Sequence, residues 1–157
     1  MGSKRPKYRM NNRSVLSADL SDGKTWRKFV DLAFDISDHF SLKNYHMDIS
    51  AAEEKEYYRL TRQLEEFIET DIPEKLPHSV FGEYDIAYFR CVYPARVLIK
   101  EVPDITKFRF PHYPEDICFF RNGRLWFGSI TADHKFSYAE YRIENIEPEM
   151  IKILEKL

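Results

Sequence analysis

Residues 114–143, PEDICFFRNGRLWFGSITADHKFSYAEYRI, decide the fold. Residues 117–120 are a short apolar run. Asn122-Gly123 follows, and both residues tolerate the positive φ that a type I′ turn demands, which makes the pair a strong hairpin signal. Residues 125–131 form a second run, rich in aromatic and β-branched side chains. Asp133-His134-Lys135 reads as another reversal, and residues 136–143 as a third strand. The stretch predicts a three-stranded antiparallel meander at the centre of the core.

Working upstream, residues 81–92 (FGEYDIAYFRCV) read as a strand with Tyr84, Ile86, Tyr88 and Arg90 on one face. Asp85, Ala87, Phe89 and Cys91 fall on the other. Tyr93-Pro94 breaks it, and residues 95–102 are expected to form the next strand, antiparallel to the first across a short connection. Phe108, Phe110 and Tyr113, interleaved with Pro111 and Pro114, make an aromatic crossover too rich in proline for a central strand. Residues 41–49 are ambiguous, with a short strand as one reading.

The helices lie at the two ends. Trp26, Phe29, Val30, Ala33, Ile36 and Phe40 recur at helical spacing, so a first helix is expected from Asp22 or Thr25 to about Phe40. Ser50 and Glu53 form a capping box that opens a second helix, with Tyr57, Leu60, Leu64, Phe67 and Ile68 as its buried stripe. Arg62 and Glu66 can pair on its outer side, and Pro73 and Pro77 end it. Glu147-Pro148 starts a last helix, whose stripe is Met150, Ile151, Leu154 and Leu157. The fold class is therefore α+β: an antiparallel sheet of about five strands, with two N-terminal helices and one C-terminal helix on one face. Residues 1–20 are expected to be a flexible basic arm, and residues 21–157 one domain, a size sufficient to bury a core.

The net charge of −2 conceals an asymmetry. Lys4, Arg5, Lys7, Arg9 and Arg13 give the first thirteen residues a charge of +5, leaving 19 basic against 26 acidic residues in the remainder. Residues 48–83 alone hold ten acids and four bases. An acidic body argues against nucleic acid as a partner, because such binding rests on neutralising phosphates, and suits a basic protein. No apolar run is long enough to span a bilayer, and no apolar segment follows the basic N-terminus as a secretory signal would need. Cys91 and Cys118 lack metal-ligand spacing, so reduced core thiols and a cytoplasmic location are expected.

Chemical motifs are sparse. The chain has no phosphate-cradling glycine loop, no HExxH, no paired CxxC and no nucleophile elbow. His39, His46, His78, His112 and His134 are scattered, with no i,i+4 pair for zinc. No metal and no cofactor are expected. One catalytic alternative remains: Asp104 or Asp116 ahead of Asp133 and Lys135 loosely matches the PD-(D/E)xK nuclease pattern, in which carboxylates on adjacent strands hold a divalent metal and the lysine stabilises charge.

A resemblance sharpens the reading. Trp26, Phe29 and Ile36-Ser37, followed downstream by Pro114-Glu115-Asp116, Phe119-Phe120, Asn122-Gly123, Trp126 and Ser129-Ile130, resemble a family of small uncharacterised bacterial cytosolic proteins. Their hairpin has the form PED-x-x-FF-x-x-G-x-x-W-x-x-SI. In this chain Lys135 follows His134, where that pattern has an acid. Families of this sort accompany secreted polymorphic toxins, which implies an immunity protein. The expected function is thus a non-enzymatic protein-binding domain whose partner is a basic toxin domain. Carboxylates would steer the encounter, and aromatic anchors would hold it. The residues expected to carry binding are Glu66, Glu69 and Asp71 of the acidic segment, with Asp133 and His134 at the sheet's edge. The alternatives are the metal-dependent nuclease and a regulatory binding module with another partner.

Overall fold

The computed structural model describes residues 18–45, 49–70, 84–131 and 140–157. They form an α+β fold around a five-stranded sheet in which every pairing is antiparallel. The strands are β1 (His39–Tyr45), β2 (Tyr84–Arg90), β3 (Glu115–Arg121), β4 (Arg124–Ile130) and β5 (Glu140–Ile143), in the order β2-β1-β3-β4-β5. The expected meander is β3-β4-β5. Its first turn has positive φ at both Asn122 (52°) and Gly123 (76°), as a type I′ turn requires. The reversal expected at Asp133-His134-Lys135 lies outside the described residues.

Helix α1 (Gly23–Ile36) opens at Asp22, whose carboxylate accepts the Thr25 N–H at 2.9 Å. It buries Trp26, Phe29, Val30, Ala33 and Phe34. The helix stops four residues earlier than expected, and Phe40 belongs to β1 instead. Apolar Ile36 and Phe40 mimic one more helical turn, but long-range bonds hold the chain extended between them. The Ile36 carbonyl accepts from Arg121 at 2.8 Å, Ser37 Oγ accepts from Trp126 Nε1 at 2.8 Å, and Asp38 N–H donates to the Phe120 carbonyl at 2.9 Å. Such tertiary contacts override local propensity.

The Ser50–Glu53 capping box is present. The second helix, however, is broken into α2 (Ala51–Tyr57), α3 (Arg59–Gln63) and a 3₁₀ turn (Glu65–Phe67). The break falls at Tyr58, where ψ is 4°. There two phenols are committed to the end of β1: Tyr57 accepts the Tyr45 N–H at 3.0 Å, and Tyr58 donates to the Tyr45 carbonyl at 2.9 Å. Arg62 donates to the Lys55 carbonyl at 3.4 Å instead of reaching Glu66. Pro73 and Pro77 lie outside the described residues.

The expected strand at 95–102 is a helix, α4 (Tyr93–Lys100), with Pro94 in its first turn. Proline at that position costs no hydrogen bond and starts a helix as readily as it ends a strand. Ala95 and Ile99 face inward, one turn apart. Arg96 pairs with Asp35 at 2.5 Å and Lys100 with Asp31 at 2.9 Å, fastening α4 to α1. The strand that pairs with β2 is therefore β1. The last helix, α5 (Pro148–Leu154), begins after Glu147 as expected and buries Leu154. Leu20, at the end of the expected arm, is fully buried in the same core.

Two irregularities shape the sheet. Asp116, with φ of 52°, takes up one extra residue where β3 runs past β1. In β4, Phe127 pairs with Phe119 and Leu125 with Phe120, so Trp126 is the extra residue of a bulge. The bulge turns two consecutive large rings, Trp126 and Phe127, into the main core, and both are fully buried. Phe29 of α1 meets them at ring-centroid distances of 6.1 and 4.7 Å. A smaller cluster of Tyr88, Cys118 and Phe120, with Ile86 and Leu125 against it, is separate from this core. Deleting a fully buried aromatic from such a core removes its burial and leaves a cavity. Trp126→Ala should therefore lower the free energy of unfolding by about 3–5 kcal/mol, read from urea denaturation.

Candidate functional site

Among the described residues, a dense polar constellation lies at the start of β3. Glu115 is buried, and each of its carboxylate oxygens has a donor: the Tyr57 hydroxyl on one, and the Phe110 N–H, at 2.8 Å, on the other. Asp116 beside it is also buried. One of its oxygens accepts from the Lys43 ammonium at 2.6 Å, the other from the Thr131 N–H at 2.7 Å. Lys43 lies 4.4 Å from the centroid of the Tyr84 ring and 5.5 Å from that of Tyr45. The Thr131 hydroxyl donates in turn to the Phe108 carbonyl.

These contacts tie five parts of the chain together: α2 through Tyr57, β1 through Lys43, the crossover through Phe108 and Phe110, β3, and the end of β4. Buried charges need such partners. Burial raises the Glu115 carboxyl above its ordinary range, against its two donors, which lower it. Burial also lowers the Lys43 ammonium, but its hydrogen bond and charge pairing with Asp116 outweigh this and leave it raised. Burial and the adjoining carboxylate push the Tyr57 phenol far up. These groups are bonded to one another and to the main chain, an arrangement suited to fixing strands in place.

The nuclease alternative draws on Asp116 in this network and on Asp104 in another. Asp104 caps the 3₁₀ turn at Ile105–Lys107, accepting the Thr106 N–H at 2.8 Å, and lies 3.8 Å from Lys107. Asp133 and Lys135 lie outside the described residues. Among the described residues, no three His, Cys, Asp or Glu side chains are grouped so as to hold a metal ion. His39 is in β1, and exposed His112 approaches Glu56 at 3.4 Å. Cys91 and Cys118 are free thiols, and burial pushes Cys118 up to about 11.

Of the residues expected to bind a partner, Glu66 and Glu69 lie on the segment that runs beside β2, while Asp71, Asp133 and His134 lie outside the described residues. Glu66 is exposed, and its carbonyl accepts from Arg90 of β2 at 3.0 Å. The Glu69 N–H donates to the Tyr88 carbonyl at 2.8 Å, and Ile68 bridges to Phe89. The segment thus lies along the outer edge of β2. Two features of this surface escape a reading of the sequence. Ile68 fits the helical stripe and is expected inside, yet it is 44% exposed, because the helix ends before it and the chain turns out to the strand. Arg90, read as one member of a strand face, clamps the segment through its main chain. Among the described residues, no helix is long and apolar enough to cross a membrane.

The Glu115 site makes a pH prediction. A carboxyl whose folded pKa lies above its ordinary 4.5 costs stability when ionised. That cost is relieved as pH falls through the folded value and is gone below the unfolded one. Glu115→Gln cannot titrate, so the stability of the wild type relative to the variant should rise as pH is lowered from 7 towards 4.5. Urea midpoints across that range measure it, and a difference that stays flat or moves the other way contradicts the assignment.

No protein-family model, no curated protein and no solved structure matches this chain.

Proposed function

We propose that the chain is a non-enzymatic protein-binding domain that meets a basic partner along the outer edge of β2. The observation that carries this reading is the surface at residues 65–69. Glu65 and Glu66 are exposed, Glu69 is partly so, and Ile68 stands out among them. An apolar side chain ringed by like charges has the composition of a small recognition patch. The carboxylates accelerate encounter with a cationic surface, and the apolar group gives contact area once water is expelled. The main-chain bonds to Tyr88 and from Arg90 hold the patch on the sheet, so little order is lost on binding.

The chemistry of the interior supports the same reading. Glu115, Asp116, Lys43 and Tyr57 spend their hydrogen bonds on one another and on the main chain. Recognition is left to the surface. The resemblance of the hairpin supplies the class of partner: a basic toxin domain, met in the cytoplasm and held inactive by an immunity protein.

The test is affinity capture from the source cell's lysate and secreted fraction, using wild type and a Glu66→Lys/Glu69→Lys variant as baits. The wild type should retain one basic protein in stoichiometric amount, with retention falling as salt is raised, because exposed charges are screened. Charge reversal should slow association by about tenfold or more, in line with the effect of removing electrostatic steering. Equal capture by both baits would contradict the surface assignment, and cleavage of nucleic acid by the purified chain would contradict the reading as a whole.

A further inference from the structure

Resting on that reading, we propose how the partner is held: an extended basic segment adds to the sheet as a further strand on the outer edge of β2. Two main-chain bonds set the direction of every main-chain group along this strand. The Cys91 N–H donates inward, to the Asp38 carbonyl at 2.9 Å. The Tyr88 carbonyl accepts from outside, from the Glu69 N–H at 2.8 Å. Main-chain groups alternate in an antiparallel ladder, so Arg90, Tyr88, Ile86 and Tyr84 aim theirs away from β1.

The described residues occupy this edge at its Arg90 and Tyr88 end. The Arg90 carbonyl takes the Val92 N–H at 3.0 Å, the Tyr88 carbonyl takes Glu69, and Ile68 completes one bridge to Phe89. Strand addition at this edge has thus begun, with one bridge among the described residues. Among the described residues, no main-chain bond reaches the outward groups of Ile86 or Tyr84. An edge of this kind is a template for another chain.

Charge and side-chain alternation specify the occupant. Tyr84 and Ile86 are half-buried on the face that carries Lys43, whose ammonium lies over the Tyr84 ring. A cation from the partner is disfavoured there, and an apolar side chain fits beside Ile86. Asp85, exposed, is on the opposite face, and Glu65, Glu66 and Glu69 flank the end of the edge. The complementary strand therefore alternates apolar and cationic residues.

The experiment uses the full chain and a heptapeptide of alternating lysine and valine, titrated by calorimetry. Binding is expected, weakened by salt. A peptide with glutamate in place of lysine should not bind. Ile86→Pro removes one outward N–H and leaves the inward ladder intact, so it should weaken binding by about tenfold, the equivalent of one net hydrogen bond. Because that variant can also disturb β2, the same peptide N-methylated at alternate main-chain nitrogens is titrated against the wild type, where loss of binding is expected. Binding that survives N-methylation overturns strand addition while leaving a basic-partner surface in place. Failure of the lysine peptide to bind, or equal binding of the glutamate peptide, overturns the proposal. The capture experiment with the charge-reversed bait judges the broader reading separately.

Discussion

Phe29 is the contact on which the fold turns. It is fully buried in α1, with ring centroids of Trp26, Phe119, Trp126 and Phe127 all within about 6 Å, as aromatic packing prefers. Three of those four rings come from the hairpin of β3 and β4, so one side chain joins the helical layer to the sheet. The arrangement depends on the bulge in β4. A regular strand would send Trp126 and Phe127 to opposite faces; the extra residue sends both to Phe29. Trp126 then reaches past the core to Ser37, where its indole N–H helps stop α1 and start β1.

A second constraint divides the carboxylates into two populations. Glu115 and Asp116 are taken out of water and repaid by donors from four other parts of the chain, so they hold β3 in register and tie the crossover to it. The carboxylates at 65–69 remain in solvent on a segment fixed through its main chain. A buried charge with a complete set of partners has little left to offer a ligand, whereas an exposed one keeps its long-range field. This division is why recognition is proposed at the edge of β2 and not at the acidic pair at the head of the hairpin.

Much of this could be read from residue types and spacing, and the failures have physical causes. The Asn122-Gly123 turn, the Ser50–Glu53 box, the Asp22 start of α1 and the Glu147-Pro148 start of α5 are local, and each is found where expected. The alternation along β2 is also kept, with Phe89 in the main core and Tyr88 in the smaller cluster. Non-local effects were hidden. Pro94 can end a strand or begin a helix, and the choice fell to Ile99 and the ion pairs with Asp31 and Asp35. The same holds at Phe40, where hydrogen bonds from Arg121 and Trp126 outweigh helical spacing. At the candidate site, Glu66 and Glu69 were legible as acids, but nothing in the local sequence signals that the chain leaves its helix at Ile68 to bridge β2. Lys43, Tyr57 and Thr131 were silent because their partners are distant in sequence.

Chemical-shift mapping of the full chain with the lysine–valine heptapeptide tests the division between interior and surface most directly. The account predicts perturbations along Glu65, Glu66, Ile68 and Glu69 and at the amides of Tyr84 and Ile86, with Glu115, Asp116 and Tyr57 unmoved. Shifts concentrated instead at Lys43, Glu115 and Asp116 would contradict it, because they would place the ligand in the network that holds the strands together.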